Sequence, residues 1–181
     1  MNNNTTLILG GARSGKSAYA EGLALTSKLD LIYIATAEAL DDEMDMRIEH
    51  HKNQRTGEWK TIEEPIKIAE VILAESNPHN VILIDCLTLW LSNLLTKNLD
   101  VNDETETLIE AINQANGHII LVSNEVGQGI VPMNEVARHF RDDAGRLNQK
   151  IASHVANVYF IIAGLAMPLK ENNKPITEKL N

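Results

Sequence analysis

Short runs of consecutive apolar residues alternate with longer stretches of helical periodicity along the whole chain. The runs at 7–9, 31–35, 81–84, 119–122 and 158–162 are rich in Ile, Val, Leu and Tyr and read as β-strands. Their apolar positions are consecutive rather than alternate, as expected of strands covered on both faces in a parallel sheet. Helical patterns fall over 15–27, 42–55, 65–76, 86–96, 103–115 and 134–156. Asp103 and Glu104 suit the acidic start of a helix, and Pro65 suits a first helical position. Strand and helix alternating in this way predict an α/β three-layer sandwich built on a mostly parallel sheet with right-handed crossovers. No internal repeat is present, and 97–102 is too short a connection to separate domains, so 1–181 reads as one domain. The polar tail after Leu169 is expected to fray.

The strongest local signal lies between the first strand and the first helix. Gly10-Gly11-Ala12-Arg13-Ser14-Gly15-Lys16-Ser17 fits the pattern G-x-x-x-x-G-K-[ST] in strand–loop–helix context. Glycines let backbone N–H groups curl around phosphate oxygens, and the following helix points its positive end at the same anion. Lys16 is placed to reach the β and γ phosphates, and the Ser17 hydroxyl to ligate Mg²⁺. The competing reading is a structural glycine turn. Asp85 follows the third apolar run, where a magnesium-holding acid belongs in such a nucleotide site. Read by itself, Asp85 serves equally well as the cap of the next helix. No N-K-x-D guanine-reading motif is present, which argues against a switch GTPase.

His50 and His51 fall in the helical stretch 42–55. Neighbouring helical residues diverge by about 100°, so the two imidazoles cannot serve one site from one face. Met44, Ile48 and His51 share the apolar face, whereas His50 lies with Glu43, Arg47 and Gln54 on the polar one. His50 therefore has the better claim to an open, phosphate-containing cleft, where a neutral imidazole can attack phosphorus. The alternative is a pair of surface histidines on a polar helix.

Composition narrows the classes further. Sixteen basic against twenty-five acidic side chains give a net charge of −9. That balance argues against general nucleic-acid or anionic-membrane binding. The single Cys86 excludes an internal disulfide and any cysteine-rich metal site, and it reads as a core thiol. No apolar run reaches the length of a membrane span and no signal pattern opens the chain, so a cytoplasmic protein is expected.

Four blocks then stand in order: GGARSGKS, YIATAEALDDEMDMRIEHHK, VSNEVGQGIVP and ARHFRDDAGRLNQ. Together they resemble the bifunctional adenosylcobinamide kinase/adenosylcobinamide-phosphate guanylyltransferase family of cobalamin biosynthesis, over about Leu7 to Ile162. The resemblance implies a RecA-like P-loop NTPase fold and a homo-oligomer, typically a trimer. It implies phosphorylation of adenosylcobinamide with ATP or GTP, then GMP transfer from GTP through a guanylylated histidine, which falls on His50. It also implies nucleotide contacts at Gly10 through Ser17 (Gly11, Ala12, Arg13, Ser14, Gly15 and Lys16 between them), Ala35, Thr36, Ala37, His51, Lys52, Asn53, Gln54, Glu63 and Asp85. Mg²⁺ would be held by Ser17 and Asp85. Two competing readings remain: another small-molecule P-loop kinase without a covalent step, and a non-enzymatic nucleotide-binding regulator.

Several further residues have structural expectations. Glu125, past the fourth run, reads as a structural carboxylate in preference to a base for the acceptor hydroxyl. Arg138, Arg141 and Arg146 read as helix-face or interface salt bridges, and Trp59 and Trp90 as packing residues.

Overall fold

The computed structural model describes residues 4–37 and 58–176. Eight strands form one sheet: β1 (Thr5–Gly10), β2 (Asp30–Ala35), β3 (Trp59–Glu63), β4 (Asn80–Asp85), β5 (His118–Asn124), β6 (Asn157–Ile162), β7 (Leu165–Glu171) and β8 (Lys174–Pro175). Among the described residues five helices connect them: α1 (Lys16–Thr26), α2 (Ile68–Glu75), α3 (Leu87–Thr96), α4 (Val101–Gln114) and α5 (Glu135–His154). The strand order is β3-β2-β4-β5-β1-β6-β7-β8. All pairings from β3 to β6 are parallel, and β7 and β8 add antiparallel.

Alternation within the central strands buries both faces of the sheet. Leu7, Leu9, Ile32, Ile34, Ile82, Ile84, Ile119 and Leu121 turn to one side, where they pack with apolar residues of α2, α3, α4 and α5. Ile8, Tyr33, Leu83, Ile120, Val122 and Ile161 turn to the other, against Ala20 and Ala24 of α1. The consecutive apolar runs of the sequence are the direct trace of this two-sided burial, and the three-layer expectation holds.

Three expectations change. The described part of the tail after Leu169 is held in the sheet. A two-residue turn at Ala163 (φ 51°) and Gly164 (φ 79°) folds β7 back onto β6, and β8 pairs with β7. The residues 59–63 add an edge strand beside β2, with Leu31 opposite Trp59 and Ala35 opposite Glu63. Helix starts also shift. Asp100 caps α4 by accepting from the N–H groups of Asn102 and Asp103, so the helix begins two residues before Asp103. Pro65 precedes α2 by three residues, because Glu64 Oε1 accepts from the Ile66 and Lys67 N–H groups and holds a bend there. The expected helix over 42–55 lies outside the described residues. Among those described, no helix is long and apolar enough to cross a membrane.

Candidate active site

The sheet delivers the candidate residues to one edge. In register, Glu63 stands opposite Ala35, Ala35 opposite Asp85, and Gly10 opposite both Asn124 and Ile161. All are at the carboxyl ends of parallel strands, where open α/β sheets bind ligands.

The phosphate loop leaves this edge at Gly10, which is fully enclosed. A Cβ there would lie 2.5 Å from Ser14 Oγ and 2.7 Å from the Ile161 carbonyl oxygen, so glycine is required by close approach. Gly15 precedes α1 at φ 95°, the left-handed region that side chains disfavour. Within the loop the Ser14 N–H donates to the Gly11 carbonyl at 3.2 Å. Two outside contacts brace the loop: the Glu125 N–H donates to the Gly10 carbonyl at 3.0 Å, and the Gly164 N–H donates to the Ser14 carbonyl at 2.8 Å. The Ser14 hydroxyl is buried with no hydrogen-bond partner among the described residues. A buried hydroxyl without a partner is costly unless something satisfies it, and a phosphate oxygen at this loop is the chemistry that would.

Lys16 begins α1 and is only 8% exposed. Its ammonium donates to the Gly11 carbonyl at 3.2 Å, folding back across the loop. Burial lowers its pKa, while the neighbouring Cys86 and Asp85 act in the opposite direction. A buried ammonium held by one carbonyl is a charge poised for an anion. Ser17 follows at half-burial.

Asp85 closes β4 half-buried, and the Tyr33 hydroxyl donates to its Oδ2 at 3.2 Å. The helix cap beside it is Cys86, at the N-cap position of α3, so Asp85 is not spent on capping. Burial, with the Asp85 charge adding to it, pushes the Cys86 thiol up to about 11, which keeps it a neutral core group as expected.

Thr36 has a different setting from the loop. Its hydroxyl donates to the Cys86 carbonyl and accepts from the Cys86 N–H, both at 2.8 Å, and the residue is fully buried. Asn93 of α3 then donates to the Thr36 carbonyl at 2.8 Å and to the Pro65 carbonyl at 3.1 Å. Sequence reasoning missed Asn93. A polar residue inside the apolar stretch 86–96 is the signal that marks it. Thr36 therefore ties the exits of β2, β3 and β4 together, while Ala37 beyond it is half-buried.

Glu63 is exposed at the end of β3. Ala12, Arg13 and Gly15 are exposed on the loop, and Ala35 is buried beneath the edge. His50, His51, Lys52, Asn53 and Gln54 lie outside the described residues. The Glu125 carboxylate accepts from the Gly127 N–H and so organises its own turn, in keeping with a structural role. Arg146 pairs with Asp143 at 2.9 Å and Arg141 with Asp142 at 3.5 Å, as helix-face pairs. Arg138 departs from that expectation, because it donates to the carbonyls of Pro132 and Met133 and pins the segment before α5. Trp90 is a core residue whose indole N–H reaches the Ile66 carbonyl at 2.7 Å, and Trp59 meets Tyr33 edge-on at 6.0 Å.

Strand, glycine loop, buried lysine and an acid two strands away are an arrangement suited to phosphate, and the comparisons with known proteins bear on which kind. A family model described as cobinamide kinase / cobinamide phosphate guanyltransferase matches residues 6–169. The chain belongs to this family. It is 50% identical over 168 residues to the bifunctional adenosylcobalamin biosynthesis protein CobP of Pseudomonas aeruginosa, covering 91% of this chain and 96% of that protein. It is 42% identical over 179 residues to the bifunctional adenosylcobalamin biosynthesis protein CobU of Escherichia coli, covering 91% and 98%. Among solved structures it is similar in fold to the flagellar accessory protein FlaH of Methanocaldococcus jannaschii, with a TM-score of 0.52 at 15% identity over 98% of this chain and 82% of that one. It is also similar to the RadB recombinase, with a TM-score of 0.50 at 11% identity over 96% and 83%. These likenesses concern the fold alone and carry nothing about its substrates.

Proposed function

We propose that this chain performs both reactions of its family, as one enzyme acting twice on phosphorus. It phosphorylates the aminopropanol hydroxyl of adenosylcobinamide with ATP or GTP, then transfers GMP from GTP to the resulting phosphate. The observation that carries the reading is Lys16: a buried ammonium at a helix N-terminus, folded over a glycine loop beside Asp85, in a chain of this family.

For the first reaction, the acceptor hydroxyl oxygen bonds to the γ phosphorus of the donor and the bond to the bridging oxygen breaks, leaving a nucleoside diphosphate and releasing the hydroxyl proton to solvent. Charge on the transferred group spreads over its three outer oxygens. Lys16 and the loop N–H groups are fixed in place before that charge develops, which is where electrostatic stabilisation is most effective. Ser17 and Asp85 would hold Mg²⁺. Their hydroxyl and carboxylate are hard oxygen donors, and the partnerless Ser14 hydroxyl marks room for phosphate beside them, so the residues present fit such an ion. When bound, it would neutralise phosphate charge.

The second reaction proceeds through His50 in this reading. An imidazole nitrogen bonds to the α phosphorus of GTP, pyrophosphate leaves, and the imidazole gives up its ring proton. The phosphate of the corrinoid substrate then attacks the same phosphorus, and the P–N bond breaks as the imidazole takes a proton back from water, giving adenosylcobinamide-GDP and neutral His50. Family resemblance and the polar-face position of His50 support this assignment. His51, Lys52, Asn53, Gln54, Ala37 and Glu63 are assigned to the nucleotide on the same resemblance, and a homotrimer is expected on it too.

Incubation with α-labelled GTP tests the reading. It predicts one GMP per active site on His50, in a bond labile to acid and stable to alkali. His50→Asn removes the label and keeps kinase activity. An enzyme that phosphorylates its acceptor without taking label would instead be a plain kinase.

A further inference from the structure

Polar side chains gather at the carboxyl ends of the central strands, and their hydrogen bonds are largely spent within the protein. The Thr36 hydroxyl is held by Cys86, the Asp85 carboxylate accepts from Tyr33, and the Glu125 carboxylate closes its own turn at Gly127. Ser123 meets Thr88 across 3.4 Å. The Asn124 carboxamide departs from this pattern. Half-buried at the end of β5, it has no hydrogen-bond partner among the described residues.

Strand alternation sets where this amide stands. Ile120 and Val122 of β5 turn toward α1, so Asn124 turns the same way, whereas Ser123 turns to α3. Asp85 is on the α1 face as well, because its partner Tyr33 belongs to that layer. β5 lies between β1 and β4, with Asn124 opposite Gly10 and Val122 opposite Asp85. Asn124 therefore stands between the phosphate loop and the acid, on the face where Lys16 begins α1.

The backbone of Asn124 is fixed from three directions. Its N–H donates to the buried Thr88 hydroxyl at 2.7 Å, and its carbonyl accepts from the Asn148 amide at 3.3 Å. The next N–H, of Glu125, reaches the Gly10 carbonyl at 3.0 Å. Asn148 is 5% exposed, and its Oδ1 is buried without a partner among the described residues. A buried amide left half-satisfied is costly, and what it secures here is the position of Asn124.

We propose that Asn124 is a catalytic residue of the phosphorylation step, its amide spanning the acceptor hydroxyl and the γ phosphate. The inference rests on the reading above that the loop holds the phosphoryl donor. A carboxamide carries both donors and an acceptor, so its N–H serves a γ-phosphate oxygen while Oδ1 accepts from the hydroxyl. Being neutral, it neither repels the phosphate nor keeps the proton, which passes to solvent as the hydroxyl oxygen bonds to phosphorus. Its contribution is alignment, on which phosphoryl transfer chiefly depends. The guanylyl step, at the α phosphorus, makes no use of it.

Three measurements on the intact enzyme and its Asn124→Ala and Asn124→Asp variants test the assignment: kinase kinetics, calorimetric titration with ADP, and labelling with α-labelled GTP. Asn124→Ala lowers the kinase kcat about a hundredfold, the scale of losing an aligning contact to the reacting groups. ADP lacks the γ group, so its affinity stays within about twofold, and guanylylation proceeds as in wild type. Asn124→Asp, though nearer in shape, loses more than Asn124→Ala, because it sets a negative charge against the γ phosphate. Melting temperatures are unchanged, since the side chain holds nothing else in place. A kcat for Asn124→Ala within about threefold of wild type would overturn the proposal. Parallel losses of kcat, ADP affinity and label would overturn it too, as the sign of a displaced β5 end. So would an Asp variant milder than the Ala variant, which belongs to a packing role. Wild-type enzyme that binds no ADP would instead overturn the phosphate-loop reading, and this inference with it.

Discussion

The two corners of the ligand edge are built on opposite plans. At the end of β1 the phosphate loop is mostly backbone, partly open to solvent, with a buried ammonium and a hydroxyl that has no partner among the described residues. At the ends of β2 and β4 the corner is closed: the Thr36 hydroxyl, the Cys86 backbone and the Asn93 amide satisfy one another. The first corner has unspent polar capacity, and the second has committed it. A binding site needs the former, because interactions already satisfied within the protein cannot be offered to a ligand. It also needs the latter beside it, because a carboxylate such as Asp85 is useful only if its strand end is held still.

Lys16→Ala should separate the corners most sharply. Removing the buried cation from the receptacle lowers the kinase kcat by about a hundred- to thousandfold, the scale of losing one preorganised charge donor. Stability should change little, because the charge lost was itself depressed by burial. Steady-state kinetics beside a melting curve measures both, and a large fall in melting temperature with modest kinetic loss would make Lys16 a structural residue.

Asn93→Ala should do the reverse. It strips a buried donor from two carbonyls at once, those of Thr36 and Pro65. We expect a loss of about 3 kcal/mol, or roughly 6–12 °C in Tm for a domain of this size. Chemical denaturation checks the figure. Wild-type stability in that variant would show that β2–β3 pairing alone holds the corner.

This contrast also explains what was legible in the sequence. The receptacle is written in local order, eight consecutive residues between a strand and a helix, so Gly10 through Ser17 could be read directly. The frame is assembled from residues up to 57 positions apart, as between Thr36 and Asn93, and no local pattern announces it. Strands β1, β2, β4, β5 and β6 were readable because burial on both faces leaves consecutive apolar residues. The edge strand β3 was not, since Trp59-Lys60-Thr61-Ile62-Glu63 lacks such a run. For β7 the signal was present but different in kind: Leu165, Met167 and Leu169 alternate after a glycine turn with the period of a strand, although all three are exposed.

Next in size is an effect of pH on the closed corner. The Cys86 thiol ionises near its ordinary value of 9.0 in the unfolded chain and at about 11 when folded. Its contribution is therefore complete below pH 9 and is lost as pH rises through the window to about 11, by up to roughly 2–3 kcal/mol. Lys16, with a lowered pKa, has the opposite sign, so the two must be separated. The difference in unfolding free energy between wild type and Cys86→Ala, followed from pH 8 to 11, isolates the thiol. A flat difference would mean that the folded thiol ionises as readily as the unfolded one.

The smallest effect tests where the two corners meet. Tyr33 reaches from β2 to Asp85 Oδ2 at 3.2 Å, a hydrogen bond between the closed frame and a carboxylate at the ligand edge of the sheet. Tyr33→Phe keeps the ring, and with it the edge contact to Trp59, so packing is preserved and the stability cost should be about 1 kcal/mol. Function should move differently. An Asp85 oxygen released from the phenol is freer to rotate, so the apparent Mg²⁺ requirement of the kinase step should shift while tripolyphosphate affinity measured without metal does not. Equal shifts in both would place the phenol's influence on the loop as a whole. The expected split would make Tyr33 a positioning residue, through which the closed corner aims its acid at the open one.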